Sequence, residues 1–419
     1  MKVSVIGLGY IGLPTAAILA SRQVQVTGVD VNQHVVDTIN QGRIHIVEPE
    51  LDILVQKTVQ SGYLRAVTQL EKADVFIIAV PTPFKENFEP DLSYIESASK
   101  SIAKVLEKGN LVILESTSPV GSTEKMMDWM KKDRPDLIFP VFGEESLLSD
   151  LSVAHCPERV LPGSVVRELV DNDRIIGGVT NHCSKQAREL YRVFVEADFL
   201  MTDCRTAELS KLVENAFRDV NIAFANELSL ICDKLNVNVW ELIKLANHHP
   251  RVNILQPGPG VGGHCIAVDP WFIINSAPAE AKLIHAARLV NDNKPEFVLK
   301  KINQAVIDSK KNNYELKIAC LGLSFKPNVD DLRESPALEI AQKVSLMGFA
   351  KNYLVEPNIN EIPEGFVSQT TELVDLKIAL NEANIVLLLV DHDSFKTFDL
   401  GLISGKQVID TRGIWDLNS

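Results

Sequence analysis

The chain has 419 residues, which suggests two or three domains, and its 46% hydrophobic and 23% charged content is typical of globular proteins. A net charge of −13 argues against a broad nucleic-acid-binding face, although a few basic residues can still bind an anionic small substrate. The six cysteines form no CxxC pair, so we expect neither a disulfide framework nor a metal site. We also expect no signal peptide, no membrane span and a cytoplasmic location.

The first half of the chain alternates apolar strands with helical stretches. Runs of this kind that are apolar throughout predict a parallel sheet covered on both faces, with ligands beyond the carboxyl ends of its strands. The residues at those ends suit a binding rim, namely Gly7, Asp30, the run 81–83 and the run 115–117. The predicted strands are Val3–Ile6, Val24–Val29, Val75–Val80 and Leu111–Leu114.

Residues 7–12 read GLGYIG, between the first strand and a predicted helix over Leu13–Ala20. In this GxGxxG pattern, Gly7 permits a tight turn, Gly9 lets the backbone approach a pyrophosphate, and Gly12 allows close packing of helix on strand. The helix N-terminus attracts phosphates. Asp30, after the second strand, suits an adenosine ribose and repels a 2′-phosphate, so the motif favours NAD over NADP. A purely structural turn is the alternative.

A long helix is predicted from about Thr206 to Leu235, because this stretch lacks Pro and Gly and carries apolar residues at helical spacing. Its apolar face fits a core or a subunit interface equally well. Beyond it, apolar strands at Ile318–Leu321, Ile385–Val390 and Gln407–Asp410 predict a second, smaller α/β domain. The predicted fold is thus α/β, with two Rossmann-like doubly wound domains joined by a long central helix and a helical middle domain.

The segment PGPGVGGHC ends in Cys265, with Asp269 four residues later. A loop rich in Gly and Pro lets the backbone approach a ligand, and it presents the thiol at a rim. A thiolate beside a nicotinamide suggests capture of an aldehyde before a second hydride transfer. Cys232 and Cys320 are more typical of buried apolar positions. His264 fits either a base or a spacer.

Two further patterns are ambiguous by spacing alone. Lys211 and Asn215 are four apart and share one face of the long helix, which also fits a solvated polar stripe. Glu158, in CPER, has the properties of an ordinary loop carboxylate.

Six motifs occur in the order found in the UDP-glucose/GDP-mannose dehydrogenase family, which the chain resembles over essentially its whole length. They are GLGYIG, ESTSPVGS, CPERVLPG, ELSKLVENAF, GPGVGGHCIAVDP and FKPNVDDLRESP. The segment HPRVNILQPGPGVGGHCIAVDPWF is most similar to the branch acting on 2-acetamido sugars. The resemblance implies oxidation of the C6 alcohol of UDP-N-acetyl-D-mannosamine to the uronate in two NAD-dependent steps, for bacterial surface polysaccharide synthesis.

The resemblance also implies a catalytic role for six residues. Cys265 would form the thiohemiacetal and the thioester, and the side chains of Lys211 and Asn215 would stabilise the oxyanion. Asp269 and Thr117 would hold the hydrolytic water, with Glu158 as a general base.

Two sets of binding residues follow from the same motifs. Arg251 would contact the sugar ring, in one interpretation from a neighbouring subunit. The implied cofactor-binding residues are Gly7, Gly9, Tyr10, Ile11, Gly12, Asp30, Pro81, Thr82, Thr117 and Arg333. The implied substrate-binding residues are Glu158, Arg159, Val160, Lys211, Asn215, Arg251, Gly262, Gly263, His264, Phe325 and Lys326.

Pro162 is a departure from the UDP-glucose branch, which usually has a second glutamate at that position. This departure argues against UDP-glucose as the substrate but not against the two-step oxidation. By analogy we expect an NAD-binding domain at 1–200, a central helical domain with the dimer contact and catalytic loop at 201–300, and a UDP-sugar-binding domain at 301–419.

Four alternatives stay open. UDP-N-acetyl-D-glucosamine and UDP-glucose are rival substrates. A two-electron dehydrogenase of the 6-phosphogluconate type would need no cysteine, and a non-catalytic NAD sensor or scaffold would not need the set of polar residues around Cys265.

Overall fold

The computed structural model describes residues 1–160, 163–263, 265–367 and 369–415, so Pro162 and His264 lie outside the described residues. The chain forms two compact units, Met1–Glu214 and Asn215–Ser419. Among the described residues, no helix combines the length and the apolar character that a membrane span requires.

The first unit is built on an eight-stranded sheet in the order β3-β2-β1-β4-β5-β6-β7-β8. All neighbouring strands are parallel except β6 and β7, which pair antiparallel. The strands are β1 Lys2–Ile6, β2 Gln25–Val29, β3 Leu64–Val67, β4 Val75–Ile78, β5 Leu111–Leu114, β6 Ser152–His155, β7 Arg174–Gly178 and β8 Phe199–Asp203.

Helices cover both faces of this sheet, because alternate residues of its central strands enter different apolar clusters. Ile77 and Ile113 belong to one cluster, whereas Phe76 and Val112 belong to the other. The helices are α1 Gly12–Ser21, α2 Gln33–Asn40, α3 Leu51–Gln60, α4 Ser93–Ala103, α5 Ser122–Asp133, α6 Val165–Asp171 and α7 Asn181–Tyr191.

The long helix α8 covers Cys204–Leu235 without interruption. Its 32 residues correspond to about 48 Å at 1.5 Å per residue. The division between the two units falls inside it, at 214/215. The prediction of one long helix from about Thr206 to Leu235 is confirmed.

The second unit carries a five-stranded parallel sheet in the order β11-β10-β9-β12-β13, preceded by helices. Residues 318 and 320 of its first strand enter one apolar cluster, and residues 319 and 321 enter another, so this sheet is also covered on both faces. The elements are α9 Val239–Ala246, α10 Asp269–Ser276, α11 Lys282–Asp292, α12 Lys294–Ser309, β9 Lys317–Leu321, α13 Pro336–Ser345, β10 Lys351–Val355, β11 Thr371–Leu373, α14 Leu376–Glu382, β12 Ile385–Leu388 and β13 Gln407–Asp410, with short 3₁₀ turns at Asn313–Glu315, Asp393–Phe395 and Leu400–Ile403.

The fold class predicted from sequence is confirmed, and the predicted strands all appear within a few residues of their expected bounds. The strands that the sequence analysis did not predict are shorter or less apolar. They are β3, β6, β7, β8, β10 and β11.

Candidate functional site

The glycine turn after β1 has the geometry that its three glycines were expected to produce. Gly7 has φ +89°, and a Cβ there would lie 2.5 Å from the carbonyl oxygen of Ala79. A Cβ on Gly12 would overlap the carbonyl of Gly7, so close packing requires glycine at that position. No atom lies within 4 Å of a Cβ placed on Gly9. Gly9 therefore leaves open space at the N-terminus of α1, where a pyrophosphate fits.

Asp30 lies beside this turn with both carboxylate oxygens oriented by backbone groups. Leu8 N–H donates to Oδ2 at 3.0 Å, and Asn32 N–H donates to Oδ1 at 2.9 Å. The side chain stays partly exposed, so each oxygen keeps room for a ribose hydroxyl. Tyr10 is exposed and Ile11 is half-buried, at the mouth of the turn. Together, the open turn and the oriented acid fit an adenosine dinucleotide.

The ends of β4 and β5 meet at the same edge of the sheet. The hydroxyl of Thr82 donates to the carbonyl oxygen of Thr117 at 2.5 Å, so two of the predicted cofactor-binding residues are in direct contact. Pro81 is exposed next to them. The rim that the sequence predicted beyond these strands is therefore assembled within the first unit.

Glu158 is buried and held on both oxygens. Its Oε1 accepts the backbone N–H of Arg159 at 2.7 Å, and its Oε2 forms an ion pair with the guanidinium of Arg174. The Arg159 side chain lies 2.8 Å from Glu214 on α8, and Val160 packs against the core. The ion pair with Arg174 therefore fixes the orientation of the Glu158 carboxylate.

Arg174, which the sequence analysis missed, links Glu158 to a second buried acid. Its guanidinium also pairs with Glu115 and lies 4.1 Å from the ring centroid of Tyr191, whose hydroxyl donates to Glu115 at 3.0 Å. Burial, together with the nearby Glu158, raises the pKa of Glu115 to about 7 against the opposing effect of Arg174. In the sequence, Arg174 looks like the start of an ordinary strand, so no local pattern indicates this cluster.

Glu208 of α8 anchors the loop that follows β5. It accepts hydrogen bonds from Gly121 N–H at 2.6 Å and from Thr123 N–H at 2.7 Å, and so it caps the start of α5. Burial raises its pKa. Glu208 precedes Lys211 by one helical turn, so the cap also fixes the part of α8 that carries Lys211, which is half-buried.

In the second unit, Cys265 lies in the turn that leads into α10. Its carbonyl oxygen accepts N–H groups from Val268 at 3.0 Å and Asp269 at 2.8 Å. Asn215 of α8 donates to Asp269 Oδ2 at 2.5 Å, so three of the predicted catalytic residues are linked. Cys265 is partly exposed, whereas the other five cysteines are buried. Burial raises the pKa of Cys156 and Cys320 to about 12, which makes those thiols poor nucleophiles.

The glycines before Cys265 are required by their neighbours. A Cβ on Gly263, where φ is +82°, would lie 2.9 Å from the ring of Phe325. A Cβ on Gly262 would overlap the carbonyl of Glu334. The predicted substrate-binding residues Gly262, Gly263 and Phe325 therefore pack together, because only glycine leaves room for the ring.

A buried polar network on α8 holds the other end of the same loop. Asn226 accepts the N–H of Gly258 at 2.9 Å and donates to Asn291 at 2.8 Å. Asn291 in turn donates to Asp219 at 2.8 Å, and Asp219 pairs with the buried Arg288 at 2.6 Å. Burial raises the pKa of Asp219. The sequence analysis missed this network, since isolated Asn and Arg residues on helices usually face solvent.

The remaining predicted residues that the structure describes lie on other loops of the second unit. Arg251 is exposed after α9, and the ammonium of Lys326 lies 5.8 Å from the ring centroid of Phe325. Arg333 pairs with Asp331 at 2.6 Å. His264, a predicted substrate contact, lies outside the described residues.

A cavity of about 690 Å³ lies in the second unit. Arg412, which follows the carboxyl end of β13, lines it and pairs with Asp391 at 2.8 Å. Trp240, Lys244 and Lys396 also face it. An aromatic ring among several cations suits a nucleotide, and the position of Arg412 at a strand end is the signal that could have identified it.

Comparisons with known proteins agree with a dinucleotide site in the first unit and a nucleotide site in the second unit. Residues 1–195 match the NAD binding domain of the UDP-glucose/GDP-mannose dehydrogenase family, residues 205–293 its central domain, and residues 319–417 its UDP binding domain. The chain belongs to the UDP-glucose/GDP-mannose dehydrogenase family. Its cofactor is NAD, for which the open glycine turn and Asp30 provide the fit.

Three similar proteins of this family carry names that refer to acetamido sugars. An NDP-N-acetyl-D-galactosaminuronic acid dehydrogenase from Ralstonia nicotianae is 62% identical over 99% of this chain and 96% of its own. A UDP-N-acetyl-D-mannosamine dehydrogenase from Escherichia coli is 58% identical over 99% of both chains. The structure of the UDP-D-ManNAc dehydrogenase from Pyrococcus horikoshii superposes with a TM-score of 0.86 at 38% identity, covering all of this chain and 96% of that one.

Proposed function

We propose that the protein oxidises the C6 alcohol of UDP-N-acetyl-D-mannosamine to the carboxylate in two NAD-dependent steps, with Cys265 as the nucleophile. The observation that carries the proposal is the Cys265 loop, which presents the one partly exposed cysteine next to the Asn215–Asp269 pair. Full-length similarity to UDP-N-acetyl-D-mannosamine dehydrogenases supports the substrate. The uronate would serve surface polysaccharide synthesis.

In this proposal, bound NAD supplies the chemistry of accepting a hydride. The C6 alcohol would first lose a hydride from carbon to NAD and its hydroxyl proton to solvent, which gives the aldehyde. The Cys265 thiolate adds to this aldehyde, forming a C–S bond and placing the electron pair on the carbonyl oxygen. Lys211 and the second N–H of Asn215 donate to that oxyanion. After loss of the second hydride, water adds to the thioester, and the C–S bond breaks to release the carboxylate and the thiolate.

The hydrolytic water needs an acceptor for its proton. Asp269 accepts a hydrogen bond from Asn215, which orients its carboxylate beside the Cys265 loop. Glu158 is the second candidate, and its ion pair with Arg174 keeps its carboxylate oriented. We assign the water-binding role to Asp269 and Thr117, and the supporting base to Glu158.

A second substrate is favoured by a specific finding, the 62% identity to the NDP-N-acetyl-D-galactosaminuronic acid dehydrogenase. The corresponding substrate would be nucleotide-activated N-acetylgalactosamine. Both candidates carry a 2-acetamido group, and they differ only in ring stereochemistry. Such differences are worth about 1–3 kcal/mol in a pocket that does not hydrogen-bond the changed group, and much more in one that does.

Side-by-side kcat/KM values test the substrate. The sugar nucleotides are UDP-N-acetylmannosamine, UDP-N-acetylgalactosamine, UDP-N-acetylglucosamine and UDP-glucose. We expect the first to be preferred by at least about tenfold and two NADH to form per uronate. A preference for UDP-N-acetylgalactosamine would change the proposed substrate but not the proposed thioester mechanism. One NADH per sugar would exclude the thioester route.

Cysteine variants test the nucleophile. Cys265→Ala should stop uronate release, because no other partly exposed cysteine is available. Cys320→Ala is the matched control, since Cys320 is buried in β9, and it should keep normal turnover per folded molecule. Normal uronate formation by Cys265→Ala would refute the proposed role.

We further propose that α8 pairs two subunits. A line of its apolar residues is exposed at intervals of four or seven residues, which places them on one face of the helix, and Phe217 is 70% exposed. Burial of such a stripe favours association. The exposed residues are Leu209, Val213, Phe217, Phe224, Ile231 and Leu235.

Sedimentation measures this association. We expect twice the 46.4 kDa chain mass for the wild type and a monomer for Phe217→Glu. Leu148→Glu is the control, because Leu148 is exposed but lies far from α8 in sequence. A wild-type monomer would contradict the dimer. The two boundaries between the three domains, at about 200 and 300, and the cytoplasmic location remain predictions from sequence.

A further inference from the structure

We propose that Glu356 and His392 are positioning residues, which brace the loop 323–328 so that Phe325 and Lys326 are held against the glycine loop of Cys265. This inference rests on the proposed function only for the role of that loop in substrate binding. Neither residue belongs to the predicted site, and both are almost completely buried, at 4% and 1% exposure.

Glu356 follows β10 and binds the start of the loop. Its Oε2 accepts the backbone N–H of Leu323 at 2.8 Å and of Ser324 at 3.1 Å. Its Oε1 accepts Asn358 N–H at 3.2 Å. These contacts and the pair with His392 lower the pKa of Glu356 against the effect of burial. The acid is therefore held as a carboxylate that fixes two successive backbone groups.

The ring of His392 binds both the acid and the far end of the loop. Its Nδ1 lies 3.0 Å from the backbone nitrogen of Asn328, which can only donate, so Nδ1 carries no proton. The proton is then on Nε2, which donates to Glu356 Oε2 at 3.0 Å. One neutral tautomer thus satisfies both contacts, and no other residue type offers a donor and an acceptor at this spacing on a rigid ring.

A pair of hydrogen bonds between Asn328 and Asp393 also holds the far end of the loop. Asn328, with φ +62°, donates through Nδ2 to Asp393 at 2.9 Å and accepts the N–H of Asp393 at 3.1 Å. Within the loop, Ser324 Oγ donates to the carbonyl oxygen of Lys326 at 2.8 Å. The backbone of residues 323–328 is therefore held at both ends and once across its middle.

The brace reaches the nucleophile through Phe325. Its ring occupies the space that a Cβ on Gly263 would need, and Gly263 is two residues before Cys265. A shift of the loop would consequently move the ring, the glycine loop and the ammonium of Lys326 together. A displacement of about 1 Å at such a distance is enough to lower turnover substantially.

His392 variants test this role through substrate-specific readouts. His392→Phe removes the donor and the acceptor but keeps a planar ring. We expect the KM for the sugar nucleotide and the Kd for UDP, measured by calorimetry, to rise at least about tenfold, with KM for NAD unchanged. His392→Gln, which restores a donor and an acceptor, should recover part of the UDP affinity.

Asn352→Ala is the matched control. Asn352 is equally buried at the opposite end of β10, and it donates to Thr370. It should lower the melting temperature without changing the Kd for UDP. Equal losses in Asn352→Ala and His392→Phe, or unchanged UDP affinity in His392→Phe, would overturn the brace. Failure of the wild type to oxidise any acetamido sugar nucleotide would instead overturn the proposed function, and the UDP measurements would still decide the brace.

Discussion

The two sheets contain the same turn at the same place but use it differently. Strands β3-β2-β1-β4-β5 of the first sheet and all five strands of the second sheet follow the same order. In each, a glycine with φ near +90° follows the first strand, Gly7 at +89° and Gly322 at +90°. In each, the backbone N–H of the residue after the glycine donates to the acid that follows the second strand. The distance is 3.0 Å to Asp30 and 2.8 Å to Glu356. The backbone hydrogen bonds of a Rossmann turn are therefore present twice.

The difference lies in what covers the acid and where the next helix begins. Asp30 is partly exposed, and α1 starts at Gly12 directly after the turn. Glu356 is covered by His392, and α13 starts only at Pro336. A helix N-terminus, which can bind a phosphate, therefore lies beside Gly7, whereas a braced loop lies beside Gly322. The comparison shows that strand order alone does not produce a dinucleotide site.

The largest effects are expected from the two turn glycines. Gly7→Ala and Gly322→Ala should each destabilise by about 2–5 kcal/mol, from the unfavourable φ and from the overlap with a neighbour. Only Gly7→Ala should abolish NAD binding. Thermal melts and NADH fluorescence titrations measure the two effects. Gly9→Ala is the control, because its Cβ meets open space; it should keep its melting temperature and lose NAD affinity.

A smaller effect is expected at the exposed acid. Asp30→Asn keeps the shape but removes the charge, and hydrogen bonds to charged groups are worth about 1.5–3 kcal/mol. NAD affinity should fall at least about tenfold, and the preference for NAD over NADP should narrow. Isothermal titration with both cofactors checks this, with Glu356→Gln as the comparison. Loss of NAD affinity in Glu356→Gln would mean that the second turn also serves the dinucleotide.

The buried carboxylates of Glu115 and Glu356 should make the unfolding free energy depend on pH in opposite directions. Each unit of pKa shift changes that free energy by on the order of 1 kcal/mol. The pKa of Glu115 is raised to about 7, so the folded state binds the extra proton, and stability should fall as pH rises from about 4.5 to 7. The pKa of Glu356 is lowered, so its contribution is present above about 4.5 and is lost in acid.

Urea midpoints from pH 4 to pH 8 separate the two carboxylates. Glu115→Gln should remove the decline between pH 4.5 and 7, and Glu356→Gln should remove part of the loss at low pH. The same slope in wild type and Glu115→Gln would show that another group titrates there.

The smallest effect is expected at the sheet edge. Arg65 and Glu71 form an exposed ion pair near β3. Such pairs contribute little because solvent screens them, so Glu71→Gln should change the unfolding free energy by less than about 0.5 kcal/mol. Chemical denaturation measures it. A larger loss of unfolding free energy would mean that an exposed ion pair stabilises this edge of the sheet.

Much of the fold could be predicted from sequence because the central strands are apolar on both faces. Runs such as Leu111–Leu114 need no context to be recognised as buried strands. Strands β7 and β8 were missed, since one begins with Arg174 and the other is partly exposed. The antiparallel pairing of β6 with β7 depends on the path of the intervening chain, which no local pattern specifies.

The site divides in the same way. By itself, the sequence determined the glycine turn, Asp30 and the loop that carries Cys265, because each depends on residue types at short spacing. Only the tertiary structure decided that Arg174 holds Glu158, that Asn226 binds Gly258, and that His392 and Glu356 close the second turn. These contacts join residues from 16 to 36 positions apart along the chain. Burial then makes each of them matter, because a polar group removed from water needs a partner that only folding brings to it.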